Sequence, residues 1–403
     1  MTTLTLVGRR ADRTRADPPL DWRVLAVWSA LLLNVLPFTA FPSVIPIPQP
    51  LGQLIAQSAL LVALLFALVA NPRCLMRPNV YVVLLSALCL LALMVSLHNP
   101  FFVGSTLRAL RFTGFVAVLW LLSSLWGRRD LALLRCHRIC LLFIIASVVV
   151  GGLVAPGQAF SFQGRLAGVI WPVFPTEVAH HASVLAGITV LLWMCRVISG
   201  RNAALTLCLT VPVLLATHTR TALLAGTVGL VCASASLLLA RSRARRTWIW
   251  GGLVASAVVA VFASELMAWF LRGQSAEEAA GLTGRTSVWS AVLSHPRPPI
   301  QEIVGPGMSN LSYKGLPIDS NWVATYVDLG LVGVGIEMLL LGVLLVTALI
   351  RPSGPGRAVA IFLVVYCIFS SITQTGMSGP STVLLDLAVA SASLVRSPGG
   401  GRP

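Results

Sequence analysis

The stretch LIAQSALLVALLFALVA at residues 54–70 carries no charge, and YVVLLSALCLLALMVSL follows it at 81–97 after a short basic loop. As a helix, each run is long enough to cross a hydrocarbon core of roughly 30 Å. Comparable runs recur to the end of the chain. Across 403 residues, 57% are hydrophobic and 10% charged, with a mean hydropathy of +0.87. Soluble domains of this size average about a quarter charged residues. The fold expected is all-α, a polytopic bundle of membrane helices.

Twelve spans can be laid out, at 22–41, 51–70, 79–97, 105–126, 134–155, 176–196, 202–217, 219–240, 248–270, 321–349, 357–375 and 381–395. The seventh and eighth share a very tight turn. This divides the chain into a 1–21 Arg-rich tail, nine spans over 22–270, a loop at 271–320, three spans over 321–395 and a 396–403 tail. The N-terminal tail lacks a small-residue cleavage site and is read as retained.

Charge sets the orientation. Formal net charge is +16, which alone would admit a nucleic-acid partner. Its distribution argues against one. Loops 71–78, 127–133, 197–201, 241–247 and 350–356 carry arginine, as do both termini, whereas 42–50, 98–104 and 376–380 carry no Arg or Lys. That alternation is the positive-inside pattern and places both termini in the cytoplasm. The eight cysteines (74, 89, 136, 140, 195, 208, 232 and 367) fall within spans or on that side. They form no CxxC or Cys/His zinc spacing and read as small packing residues.

The polar stretch 271–321 is longer than any other interior loop, and a membrane protein has little reason to keep one such loop unless it works. It holds Leu-Thr-Gly-Arg (282–285), Trp289, Gly-Pro-Gly (305–307) and Asp-Ser-Asn-Trp (319–322). Basic residues on this outer side are exceptions to the charge rule: Arg165, Arg220, Arg272, Arg285, Arg297 and Lys314, the chain's one lysine. Arg272 and Arg297 read as solvated loop charges. Arg108 and Arg111, three apart and so on one helix face, suit either anion binding or snorkelling to headgroups. Arg220 lies in Thr217-His218-Thr219-Arg220-Thr221 between two apolar spans, where a charge is costly and functional by default.

Arginine's planar fork suits diphosphate oxygens. If a glycan leaves a polyprenyl-diphosphate carrier, arginines offset the charge that develops on the leaving group. An acidic residue could serve as base for the attacking hydroxyl. Candidates are Glu177, Glu265, Glu277, Glu278, Glu302, Asp319 and Asp328. Asp319 follows the Gly-Pro-Gly turn and precedes a helix, so it could orient an acceptor or simply cap that helix. Glu177, at the mouth of the sixth span, is a second candidate. His180, His181 and His218 read as polar packing. No metal spacing, P-loop or GxGxxG occurs, so neither metal nor cofactor is expected.

Four segments carry a resemblance. They are Gly164-Arg165-Leu166-Ala167-Gly168 with Pro175; Thr219-Arg220-Thr221 with Ala225; Gly284-Arg285 with Trp289 and then Gly305-x-Gly307; and Asp319-Ser320-Asn321-Trp322 leading to Gly330-Leu-Val-Gly333. In order and spacing they are similar to the O-antigen ligase and O-antigen polymerase superfamily, bacterial membrane glycosyltransferases of the GT-C type. The first five spans match only in general character. The resemblance implies that Arg165, Arg220 and Arg285 hold the donor diphosphate; Arg108, Arg111 and Lys314 are further candidates for the same role. It implies inversion at the anomeric carbon without a metal, and an outward-facing cavity in a bacterial inner-membrane bundle. Gly284, Trp289, Gly305, Gly307 and Asn321 would position the loop.

Ligases of the family typically place His-Asn eleven residues before the glycine matched by Gly330. Here that position holds Asp319-Ser320, which is more like the polysaccharide polymerases. The expected partners are a polyprenyl-diphosphate oligosaccharide, a glycan or lipid acceptor, the bilayer, and proteins of polysaccharide assembly or export. Alternatives are a ligase, a transporter or flippase, and a non-catalytic scaffold. A transporter would show internal repeats, and none is visible.

Overall fold

The computed structural model describes residues 20–39, 42–127, 131–238, 240–271, 285–309, 312–313 and 316–395. Most of both tails, Arg272, Glu277, Glu278, Gly284 and Lys314 lie outside the described residues. In chain order the helices are α1 (Trp22–Val35), α2 (Gln49–Ala70), α3 (Val80–Ser96), α4 (Phe102–Leu122), α5 (Ala132–Val154) and α6 (Pro156–Ala159). There follow α7 (Pro175–Met194), α8 (Gly200–Ala216), α9 (Arg220–Ala235), α10 (Ser242–Leu271), α11 (Arg285–Leu293) and α12 (Pro299–Val304). A hairpin of two-residue strands, β1 (Ser312–Tyr313) and β2 (Leu316–Pro317), precedes α13 (Asn321–Ile350), α14 (Pro355–Ser370) and α15 (Thr382–Leu394).

Six of these helices are long and apolar enough to cross a membrane: α2, α4 extended to Leu125, α5, α7, α10 to Glu265, and α13. Six more, α1, α3, α8, α9, α14 and α15, are apolar but only 13 to 17 residues long. Where twelve spans were expected, six helices are thus long enough to cross, and six apolar helices fall short of that length.

The helices start where local chemistry allows. Asp21, Asn79, Ser199 and Ser381 each accept a hydrogen bond from a first-turn N–H of α1, α3, α8 and α15, which satisfies an otherwise orphaned donor. Pro175 and Pro355 occupy the first turns of α7 and α14, where a missing N–H costs nothing. The expected tight turn is real: Thr217–Thr219 alone separates α8 from α9.

α7, α14 and α15 form the centre and are buried along most of their length. Gly187 and Gly229 let α7 and α9 approach Phe362 of α14, since a Cβ on either would press against that residue. Small residues at such contacts are how membrane helices pack closely. Leu54, Leu61, Leu65, Phe143, Leu153 and Ile249 lie on the outside, fully or half exposed, as a lipid-covered surface would have them. Along α10 from Ser242 to Glu265 Ala244 alone is buried, and the rest of that apolar stretch stands out from the core.

Hydrogen bonds sort the connections into two ends. At one end, the peptide N–H of Gly127 reaches the Ala392 carbonyl, Arg243 donates to Trp193, Arg351 to Leu394, and Ser353 to Ser236. Arg243 and Arg351, from two of the short basic loops, lie there. At the other, Thr39 bonds Pro172, Val44 bonds Val169, Asn99 bonds Pro306, Met308 bonds Ser96, and Asn321 bonds Ser371. The described residues of 285–320 lie at this second end and form two short helices and one pair of short strands.

Candidate functional site

The connection from α6 to α7 fixes Arg165. Gln163 and Gly164 both take positive φ (53° and 69°), and an isolated bridge joins Phe162 to Arg165. The N–H of Leu166 bonds the Ala216 carbonyl at 3.0 Å, which sets the segment against the end of α8. From there the Arg165 Nε donates to the Thr217 carbonyl and Nη2 to Thr219 Oγ1, both at 2.9 Å. A guanidinium at a helix C-terminus also complements the helix dipole. Thr219 precedes Arg220, the first residue of α9, and supplies no side-chain cap to that helix. Arg165 is therefore held beside the start of α9, where the dipole favours an anion.

The next link is Thr221, whose hydroxyl lies 2.9 Å from that of Thr373. Thr373 belongs to the connection 371–381. Its Ser371 carbonyl accepts the N–H of Asn321 at 2.9 Å. Asn321 Oδ1 in turn accepts the N–H groups of Gly376 (3.2 Å) and Met377 (2.7 Å). Its Nδ2 donates to Glu337 Oε2 at 2.6 Å, while Thr325 donates to Oε1 at 2.8 Å. Asn321 is thus a buried hub holding the 371–377 segment to α13.

Two residues back, Asp319 accepts from Arg285 Nε at 3.3 Å. The two side chains are 40% and 32% exposed, so the pair is worth no more than about 1 kcal/mol and orients rather than stabilises. Asp319 is not the cap of α13. That position is Ser320, which makes no side-chain cap bond, because the chain turns out of Asp319 toward Arg285 before the helix begins. Trp289, on α11, packs with Val292, Ile318, Val323 and Ala324, and its buried indole N–H has no partner among the described residues.

The Gly-Pro-Gly turn has a packing role. Gly305 and Gly307 take φ of 77° and 110°, and Gly330, inside α13, takes 64° and kinks that helix. The turn seats in the kink. The Gly307 N–H bonds the Asp328 carbonyl at 3.0 Å, and the Asp328 carboxylate accepts the N–H (3.1 Å) and hydroxyl (2.6 Å) of Ser309. Asp328 is buried and spoken for, so its place is structural.

Arg108 and Arg111 part company. Arg108 lines a cavity of about 660 Å³ with Asn99, Ser105, Ser309 and Phe101. Arg111 lines another of about 440 Å³, together with Glu177, and its Nη2 donates to the Asn34 carbonyl at 2.5 Å. Sharing a helix face did not place the two guanidiniums in one site, because each long side chain follows a different groove. Arg297, expected as a solvated charge, lies over the Tyr326 ring at 5.2 Å.

Sequence reasoning missed a buried polar cluster. Asp386 receives His137 Nε2 on one oxygen and His180 Nε2 on the other, each at 2.9 Å, and all three are buried. Trp28 Nε1 donates to His137 Nδ1 at 3.1 Å, which leaves the His137 proton on Nε2, facing the carboxylate. Glu337 was missed as well. In both cases the available signal was a lone acid inside an apolar span, an expensive placement that needs partners. Among the described residues, no group of three or more His, Cys, Asp and Glu is arranged to hold a metal ion. The chain matches no protein-family model and has no significant match among curated proteins.

Proposed function

We propose that this protein is a membrane glycosyltransferase. It moves a glycan from a polyprenyl-diphosphate carrier to an acceptor hydroxyl on the extracytoplasmic face, as a polymerase of polysaccharide repeat units. The observation that carries this is a set of three hydrogen bonds, Arg165–Thr219, Thr221–Thr373 and Asn321–Ser371, joined by short stretches of chain. Next to Asn321, the Arg285–Asp319 pair completes it. Segments far apart in the chain, those that resemble the family, are gathered at one end of one bundle.

In this reading the diphosphate sits against Arg165, Arg220 and the start of α9. The acceptor oxygen attacks the anomeric carbon and its proton passes to a carboxylate, Asp319 or Glu177. The bond from that carbon to the phosphate oxygen breaks, and its electron pair leaves with the diphosphate. Fixed guanidiniums offset the charge without reorganising during the reaction. Twelve apolar helices with arginine-rich connections at the opposite end support twelve crossings, with both termini in the cytoplasm. An aspartate where ligases carry histidine favours the polymerase over the ligase.

The test is turnover of a polyprenyl-diphosphate oligosaccharide by the purified protein in liposomes. Longer lipid-linked glycans from that substrate alone support the polymerase. Product only on adding a second acceptor would move the assignment to a ligase. Unconsumed donor under both conditions contradicts the transferase.

A further inference from the structure

The cavity of about 440 Å³ holds a set of groups the diphosphate site does not need. It lies between the ends of α1 and α2, the middle of α4 and the first turns of α7 and α15. Two carboxamides enter it from α2, Gln53 and Gln57, four apart and so on one face. The outer surface of that helix also carries Gln49 and Ser58, beside an apolar flank with Leu54 and Leu61 exposed to 60% and 65%. Gln53 and Gln57 are exposed and Glu177 and Thr375 half-buried, and none of the four side chains makes a hydrogen bond to the protein among the described residues. The Arg111 Nε is buried without a partner. A buried donor left unsatisfied is costly unless it meets water or a ligand, and the exposed amides stand open to the same occupant.

The charge balance narrows the ligand. One cation, Arg111, faces one anion, Glu177, so a diphosphate would gain from the first and be repelled by the second. The amides and hydroxyls offer donors and acceptors together, which suits groups that do both. Phe38 adds an apolar face, and the volume falls in the range of small-ligand sites.

We propose that this cavity binds the neutral, hydroxyl-bearing ring of a lipid-borne sugar, with its chain along the apolar flank of α2. Given the transferase reading above, that ring is the acceptor, and Glu177 is the carboxylate nearest its hydroxyls. The binding itself does not depend on turnover.

The test uses an alkyl hexoside with a diazirine on its alkyl chain, irradiated with the protein in nanodiscs and mapped by peptide mass spectrometry. Labelling is expected on α1 and α2. Excess methyl hexoside should compete it away and inorganic pyrophosphate should not, and it should fall at least tenfold in the Gln53→Leu/Gln57→Leu double variant. Leucine suits an apolar span, so the variant should melt as the parent does. Glu177→Gln, nearly isosteric, gives a second variant with the same expected direction. Labelling unchanged in both variants, absent from α2, or competed by pyrophosphate instead of the sugar would overturn the proposal. Labelling as expected from a protein without turnover would leave the sugar site standing and remove the transferase.

Discussion

Gly305 and Gly330 meet backbone to backbone. A Cβ on Gly330 would stand 2.5 Å from the Ile303 carbonyl carbon and 2.6 Å from the Gly305 nitrogen. One on Gly305 would stand 2.6 Å from the Leu329 Cα. The Gly-Pro-Gly turn is therefore the seat by which the polar segment 285–320 rests in the kink of α13.

Gly330→Ala should destabilise the protein by more than about 1 kcal/mol, since both the positive φ and the contact oppose it. Gly335→Ala, in the same helix with open space around it, should be neutral or stabilise by about 0.5–1 kcal/mol. Thermal melts of the two variants in one detergent check this. Equal melts would mean that the seat does not form.

The all-helical, membrane-type character was legible in the sequence because apolar length is a one-dimensional signal. Local chemistry also told, as at the Thr217–Thr219 turn. What was not legible depends on side-chain direction. Arg108 and Arg111 share a face by spacing but enter different cavities. Asp319 had the position of a helix cap, yet Arg285, distant in sequence, takes its carboxylate. Residues 371–375 read as the end of a span, whereas that helix stops at Ser370, and only the bonds to Asn321 and Thr221 reveal 371–377 as a tie between separate segments. His137, His180 and Asp386 come from three separate helices, so no local pattern joins them.

Asp386→Asn should cost about 3–5 kcal/mol, because two buried imidazoles lose the carboxylate that both face. Its melting temperature should fall further than that of any surface substitution. A melt within a degree of the parent would show that the cluster carries little of the fold.

Arg165→Lys keeps the charge, but an ammonium cannot reach both the Thr217 carbonyl and Thr219 Oγ1 in one plane. We expect about a tenfold loss of kcat/KM for the lipid-linked donor, the size of one charge-assisted hydrogen bond. Full activity in the lysine variant would mean that charge alone suffices there.

Asp319→Asn should lower turnover on the order of a hundredfold if the carboxylate takes the acceptor proton, with little change in melting because its pair with Arg285 is exposed. Glu302→Gln, an exposed acid in the same segment, should leave turnover unchanged. Mild, equal effects in the two variants would reduce Asp319 to a partner for Arg285.

The most direct test compares wild type with Arg220→Ala in liposomes containing one polyprenyl-diphosphate oligosaccharide, read as glycan length on a gel and paired with a size-exclusion profile of each protein. The account predicts a ladder from the wild type and none from a variant that elutes as folded. A ladder of equal length and rate from folded Arg220→Ala would remove this arginine, and the anion site built around it, from the mechanism.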